Sequence, residues 1–110
     1  MDDSKPELRR LSRDAFGQQY RLEIMLAVAA SEDGIVCLSD LAQELSLTPS
    51  NVQSALRSMI DTGLLTELPR GDSRRKFLLR NPSAAWEWAN ELQASATQTT
   101  TDMPGSIRDI

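Results

Sequence analysis

The chain has 110 residues, 40% of them apolar and 25% charged, with a formal net charge of −4, which is the size and composition of one globular domain with one core. No run approaches the ~20 consecutive apolar residues that span a bilayer, and MDDSKPELRR at the N-terminus offers no apolar stretch for a secretory signal, so a cytoplasmic protein with no membrane partner is expected. There is no histidine and a single cysteine, Cys37, which removes Ser-His-Asp and Cys-His catalysis and any internal disulfide.

Met1 to about Ser12 is polar and charged, and reads either as a flexible arm or as the entry to the first helix; residues 1–12 are taken as a flexible arm. From Ala15 to Ala30 the apolar period is helical. Phe16, Tyr20, Ile24, Ala27 and Val28 form one stripe, while Leu22, Met25, Leu26 and Ala29 form a second beside it. A helix wet on one face needs only the first, so the second meets either the rest of its own domain or a partner subunit. Asp33-Gly34 is turn chemistry, and Ile35-Val36-Cys37 has room for one short strand. Ser39 stands where an N-cap is expected, ahead of a short helix with Leu41, Ala42 and Leu45 on one side. Ser46-Leu47-Thr48 makes a turn, with Leu47 as its apolar plug.

Thr48 caps the third helix, expected over residues 49–62, and Pro49 occupies its first helical position, where a missing amide hydrogen costs nothing. Val52, Ala55, Leu56, Met59 and Ile60 commit one side to the core. The other side carries Ser50, Asn51, Gln53, Ser54, Arg57 and Ser58, with no acid before Asp61. Solvent-facing helices favour interspersed Glu and Lys; this face has neither. Short polar groups allow close approach to a major-groove floor, Asn and Gln can pair with adenine and Arg with guanine, and the free amides of the first turn suit a phosphate.

Gly63 closes that helix. Leu64 to Leu68 reads as a strand, residues 69–73 as a turn, and Arg75 to Leu79 as a second strand with Phe77 and Leu79 giving its apolar face. Arg70, Arg74, Arg75 and Lys76 cluster at the tip of the hairpin, and residues 69–76 are expected to lie along a phosphate backbone or reach into a minor groove. After Asn81-Pro82-Ser83, a last helix runs to about Ala96 with Ala85, Trp88, Ala89 and Leu92 on one side. Trp86 lies off that stripe, and either meets a second subunit, where large aromatics are enriched, or folds back on the first helix. From Thr97 the chain is Thr-rich, lacks apolar period and contains Pro104-Gly105, so residues 97–110 are expected to be a disordered tail.

The net charge opposes DNA binding, but its distribution does not. Residues 48–80 hold Arg57, Arg70, Arg74, Arg75, Lys76 and Arg80 against Asp61, Glu67 and Asp72, a local net of +3, and a screening length of ~8–10 Å keeps that region partly independent of the acidic remainder.

Taken together, RLEIMLAVAA, then VCLSDLAQELSLTPSNVQSALRSMIDTGLL, then RGDSRRKFLL resemble the small winged helix-turn-helix transcriptional regulators of the ArsR and MarR type, over about Phe16 to Leu92. The resemblance implies a mainly α fold with a small β-hairpin in the order α-β-α-α-β-β-α, with residues 13–96 as the DNA-binding domain. It also implies a homodimer that places one recognition helix per subunit in successive major grooves of double-stranded DNA. Thr48, Pro49, Ser50, Asn51, Gln53, Ser54 and Arg57, with Arg70, Arg74, Arg75 and Lys76 of the wing, are then the DNA-binding set, and Leu22, Met25, Leu26 and Trp86 are candidates for the dimer interface.

Metal sensors of the ArsR type often carry Cys-x-Cys-Asp-Leu where this chain has Cys37-Leu38-Ser39-Asp40-Leu41. One thiol and no imidazole are too few ligands for a soft metal, so no metal and no cofactor are expected. Cys37 reads as a small buried hydrophobe, with a redox role as the alternative. No Gly-rich phosphate loop is present, and Glu32 and Asp33 run straight into Gly34, so no enzyme is expected. Two functions remain: a sequence-specific DNA-binding regulator, and a winged-helix module that binds protein through the wing and the Trp86 surface.

Overall fold

A computed structural model of the chain describes residues 5–71 and 74–101, the segment 97–101 as backbone alone. Five helices surround a small antiparallel sheet in the order α1 (Lys5–Phe16), α2 (Arg21–Ala30), β1 (Ile35–Cys37), α3 (Leu38–Leu45), α4 (Pro49–Asp61), β2 (Leu65–Glu67), β3 (Phe77–Arg80) and α5 (Ala84–Thr101). The expected class, mainly helical with a β-hairpin wing, is the one found, with one helix more than expected.

That extra helix comes from the N-terminus. From Lys5 onward, the arm expected to be flexible is α1, with Leu8 and Ser12 buried. It is held by Glu23 of α2, whose carboxylate is 5% exposed and takes both Arg9 Nε at 2.7 Å and Arg9 Nη2 at 3.2 Å, with Lys5 Nζ at 3.6 Å. The single helix expected over 15–30 is broken: α1 stops at Phe16, Gly17 adopts φ +74° and donates its amide to the Arg13 carbonyl at 2.9 Å, and α2 begins at Arg21. Only glycine takes that left-handed conformation without penalty. The buried Ser12 hydroxyl then ties the connection down, donating to the Gln18 carbonyl and accepting the Leu22 amide at 3.0 Å.

β3 is the central strand, between β1 and β2. Val36 and Glu67 both lie opposite Leu78, and Leu78 is the fully buried residue of β3 while Phe77 and Leu79 are half-buried. The apolar face is therefore the reverse of the one expected from Phe77 and Leu79, because pairing with β1 as well as β2 turns Leu78 toward the helices. Arg80, at the end of this strand, sends Nη1 to the carbonyls of Val28, Ala29 and Ser31 at 2.8, 3.0 and 2.9 Å. It thereby supplies the cation that α2, which has no basic residue in its last turn, lacks at its negative end.

The core joins Leu22, Ile24, Met25 and Val28 of α2 to Val52, Leu56 and Met59 of α4, to Leu65 and Leu78 of the sheet, and to Trp86 and Ala89 of α5. Leu22, Met25 and Trp86, candidates for a subunit interface with burial in their own chain as the alternative, are 0%, 1% and 8% exposed within the single chain, and Leu26 is half-buried against the same core. The second apolar stripe of α2 is thus absorbed by α1 and α5, which pack on it and on each other. The two tryptophans exchange the places expected of them: Trp86 is buried with its indole donating to the Asn81 carbonyl at 2.7 Å, and Trp88 is 43% exposed, edge-on to Phe16 at 5.3 Å. Helix α5 runs on to Thr101, past the expected end at Ala96, and the rest of the expected tail, 102–110, lies outside the described residues. Among the described residues, no helix is long and apolar enough to cross a membrane.

Candidate nucleic-acid interface

Helix α4 forms as its sequence dictates. Thr48 is extended at φ −74°, ψ 149°, its hydroxyl accepts the Asn51 amide at 3.2 Å, and Pro49 follows in the first turn. Val52, Ala55, Leu56 and Met59 are buried and Ile60 is half-buried. Thr48, Pro49, Ser50, Asn51, Gln53, Ser54 and Arg57 are all exposed, so the structure leaves the candidate face open to a partner. Ser58 is the exception, half-buried and accepting a bond from Arg21 Nη2 at 2.7 Å. The preceding turn closes through Ser46 at φ 58°, and Leu47 packs on the core as its plug. Ser39 is not the cap of α3: Cys37 holds that position without a side-chain bond, and the Leu38 amide donates instead to the Lys76 carbonyl at 3.2 Å, which ties the start of α3 to the wing.

The wing lies beside α4. Leu38, Ser39, Gln53, Arg70, Arg74, Arg75 and Lys76 line one open cleft of about 230 Å³, which brings the two halves of the expected interface together. Asp72 and Ser73 of the turn lie outside the described residues. Two of the wing cations have acidic neighbours: Arg75 Nη2 lies 2.6 Å from Asp40 Oδ1 of α3, and Lys76 Nζ lies 3.5 Å from Glu67 Oε2 of β2. The local field is therefore smaller than the charge count over 48–80 implies, because Asp40 enters it from outside that segment. Both members of the Arg75–Asp40 pair are more than half exposed, where such pairs are weak and exchangeable.

Cys37 is buried behind this pair, with its thiol 3.3 Å from the Ser39 hydroxyl. Burial pushes the thiol up, but the Ser39 hydroxyl, the backbone of Asp40 and the Arg75 guanidinium together hold it below the usual thiol value. Arg75 is in turn held more firmly cationic, first by the Cys37 thiol and then by Asp40. Among the described residues, no three His, Cys, Asp or Glu side chains converge to hold a metal ion.

Two features here were not anticipated from the sequence. Asp40 as partner to the wing lies 35 positions from Arg75, and no local pattern joins them. The turn between α1 and α2 comes up beside α4, where Gln18, Gln19 and Tyr20 face Asn51 and Ser54 across a second cleft of about 200 Å³. Gly17 was its one sequence signal.

No family profile matches the chain, and no curated protein sequence does. Solved structures do match. The transcriptional regulator BldR from Sulfolobus solfataricus superposes with a TM-score of 0.70 at 18% identity, over 94% of this chain and 76% of its own. AbsC, a MarR family transcriptional regulator from Streptomyces coelicolor, does so with a TM-score of 0.66 at 17% identity, over 92% and 72%. Sco3205, a MarR family regulator from the same organism solved in complex with DNA, gives 0.68 at 16% identity over 92% and 68%. The fold is therefore the winged helix of MarR family regulators.

Proposed function

We propose that the protein is a sequence-specific, double-stranded DNA-binding transcriptional regulator, cytoplasmic and homodimeric, without enzymatic activity. Helix α4 enters the major groove, and the wing over 69–76 lies on the backbone or in the minor groove. The observation that carries this reading is the continuity of two surfaces: the acid-free face of α4 from Ser50 to Arg57, open to solvent, runs through Gln53 into the cleft formed by Arg70, Arg74, Arg75 and Lys76. Groups that read base edges and groups that neutralise phosphate thus share one surface. The fold shared with Sco3205, which was solved with DNA bound, supports the same reading.

Selection of bound duplexes from random-sequence DNA tests it, with dissociation constants measured over a range of salt and the mass of the complex determined in solution. A preferred duplex bound by two subunits is expected, its affinity falling steeply with salt. Arg57→Ala should weaken binding to the selected duplex by ~1–3 kcal/mol and scarcely alter binding to random sequence. No enriched sequence, or an affinity indifferent to salt, would remove the proposal.

A further inference from the structure

The rotation of α4 gives its exposed face two edges. At about 100° per residue, Asn51 and Gln53 fall at opposite sides of that face, with Ser50, Ser54 and Arg57 between them. The wing flanks the Gln53 edge. The other edge is flanked by the turn between α1 and α2: Gln18, Gln19 and Tyr20 line a cleft with Asn51 and Ser54, and Arg21, the first residue of α2, bonds Ser58 farther along that edge.

A helix is about 10–12 Å across with its side chains, and the major groove about 12 Å wide. A helix seated in the groove therefore fills it, and whatever flanks the helix meets the two sugar-phosphate strands that border the groove. The wing meets one. On the other side, the cleft residues are amides and hydroxyls, each with a hydrogen to donate to a phosphate oxygen, and none is an acid.

The turn is also held firmly for a surface segment. Ser12, fully buried, spends its hydroxyl on the Gln18 carbonyl and the Leu22 amide, and Gly17 takes a left-handed conformation. Arg9, locked onto Glu23 at 2.7 Å, stacks on the Tyr20 ring at 4.8 Å. Rigid donors lose less freedom on binding than loose ones.

We infer that the turn formed by Gln18, Gln19 and Tyr20 is a second, uncharged backbone-binding element that grips the phosphate strand on the side of the recognition helix opposite the wing. This rests on the proposed DNA-binding function. It assigns Gln19, which is exposed, as a phosphate donor, and Ser12 as the residue that positions it.

The experiment uses the full chain and a duplex selected as above. Loss of one neutral hydrogen bond per subunit by Gln19→Ala should weaken binding roughly ten-fold for the dimer, equally on selected and random duplexes, with no change in the log K against log salt slope because no counterion is released by an amide. Gln19→Lys should steepen that slope by about 2 per dimer. The melting temperatures of both variants should match the native value. Affinity of Gln19→Ala within two-fold of native, or a slope unmoved in Gln19→Lys, overturns the inference while leaving the DNA-binding function standing. Failure of the native protein to bind any duplex removes both.

Discussion

The buried carboxylate of Glu23 makes the attachment of α1 a measurable quantity. Its side chain is 5% exposed, whereas those of Arg9 and Lys5 are 26% and 34% exposed, so the acid is the desolvated member of the cluster and the bases keep much of their water. Removing one partner of a buried ion pair typically costs 3–5 kcal/mol, mostly because the other charge is left uncompensated. Arg9→Met keeps the apolar stem but leaves Glu23 with Lys5 Nζ at 3.6 Å alone. Discounting for the exposure of Arg9 and for the cation that remains, a loss of about 2–3 kcal/mol is expected. Glu23→Ala instead leaves two cations that water can reach, and should cost less, about 1–2 kcal/mol by the same reasoning. Combined, the two substitutions should cost less than Arg9→Met alone and close to Glu23→Ala, since removing the carboxylate also removes the charge left uncompensated by the loss of Arg9. Urea unfolding at neutral pH measures all three, and the arginine variant should melt roughly 10–20 °C lower. A cost for Arg9→Met under 0.5 kcal/mol, or a larger one for Glu23→Ala than for Arg9→Met, would refute the view that α1 is held by compensation of one buried charge.

Three further outcomes are expected. Arg70→Ala and Arg74→Ala should each flatten the log K against log salt slope for DNA by about 2 per dimer, whereas Arg75→Ala, whose cation already has Asp40 at 2.6 Å, should flatten it less; titrations at several salt concentrations separate the three. Gly17→Ala meets open space but must hold φ +74°, so it should lose about 1–2 kcal/mol of stability in urea with no change in folded structure. Asp33 is held below the usual carboxylate value, chiefly by the Ile35 amide and then by the Ser31 hydroxyl. Because the folded value is the depressed one, its contribution to stability is fully present above about pH 4 and is lost as pH falls through the lower folded value. Asp33→Asn should therefore leave a shallower acid limb in a plot of melting temperature against pH.

What the sequence made legible was set by short-range physics. The Thr48 cap, Pro49 in the first turn and the apolar side of α4 depend only on residues within two helical turns, and all are found as expected. The break at Gly17 was hidden because apolar residues on both sides of it, Phe16 and Tyr20, continue the helical period across the gap. The face of β3 was misjudged because Phe77-Leu78-Leu79 contains two possible alternations, and pairing with β1, some 40 residues earlier, selects between them. Trp86 and Trp88 are two positions apart on a helix whose inner side is defined by contact with α1 and α2. An arm read as flexible gave no reason to expect a third layer of helix there, so the second stripe of α2 was left in want of a partner.

The same long-range pairing changes how the wing works. Arg75 and Lys76 each lie beside an acid of their own chain, and among the described residues no ion pair takes Arg70 or Arg74. Cations already paired to carboxylates gain less from a phosphate, because the contact to DNA replaces an existing partner and not bulk water alone. If the wing binds DNA as proposed, phosphate attraction falls mainly to Arg70 and Arg74, while the Leu38 amide, which bonds the Lys76 carbonyl, fastens the base of the wing to α3. On the proposed reading, a wing with every cation uncommitted would bind any duplex more tightly and so favour random sequence as much as a preferred site. Matching half of its charge internally lowers that uniform term and leaves discrimination to the side chains of α4, which is the balance a sequence-specific regulator requires.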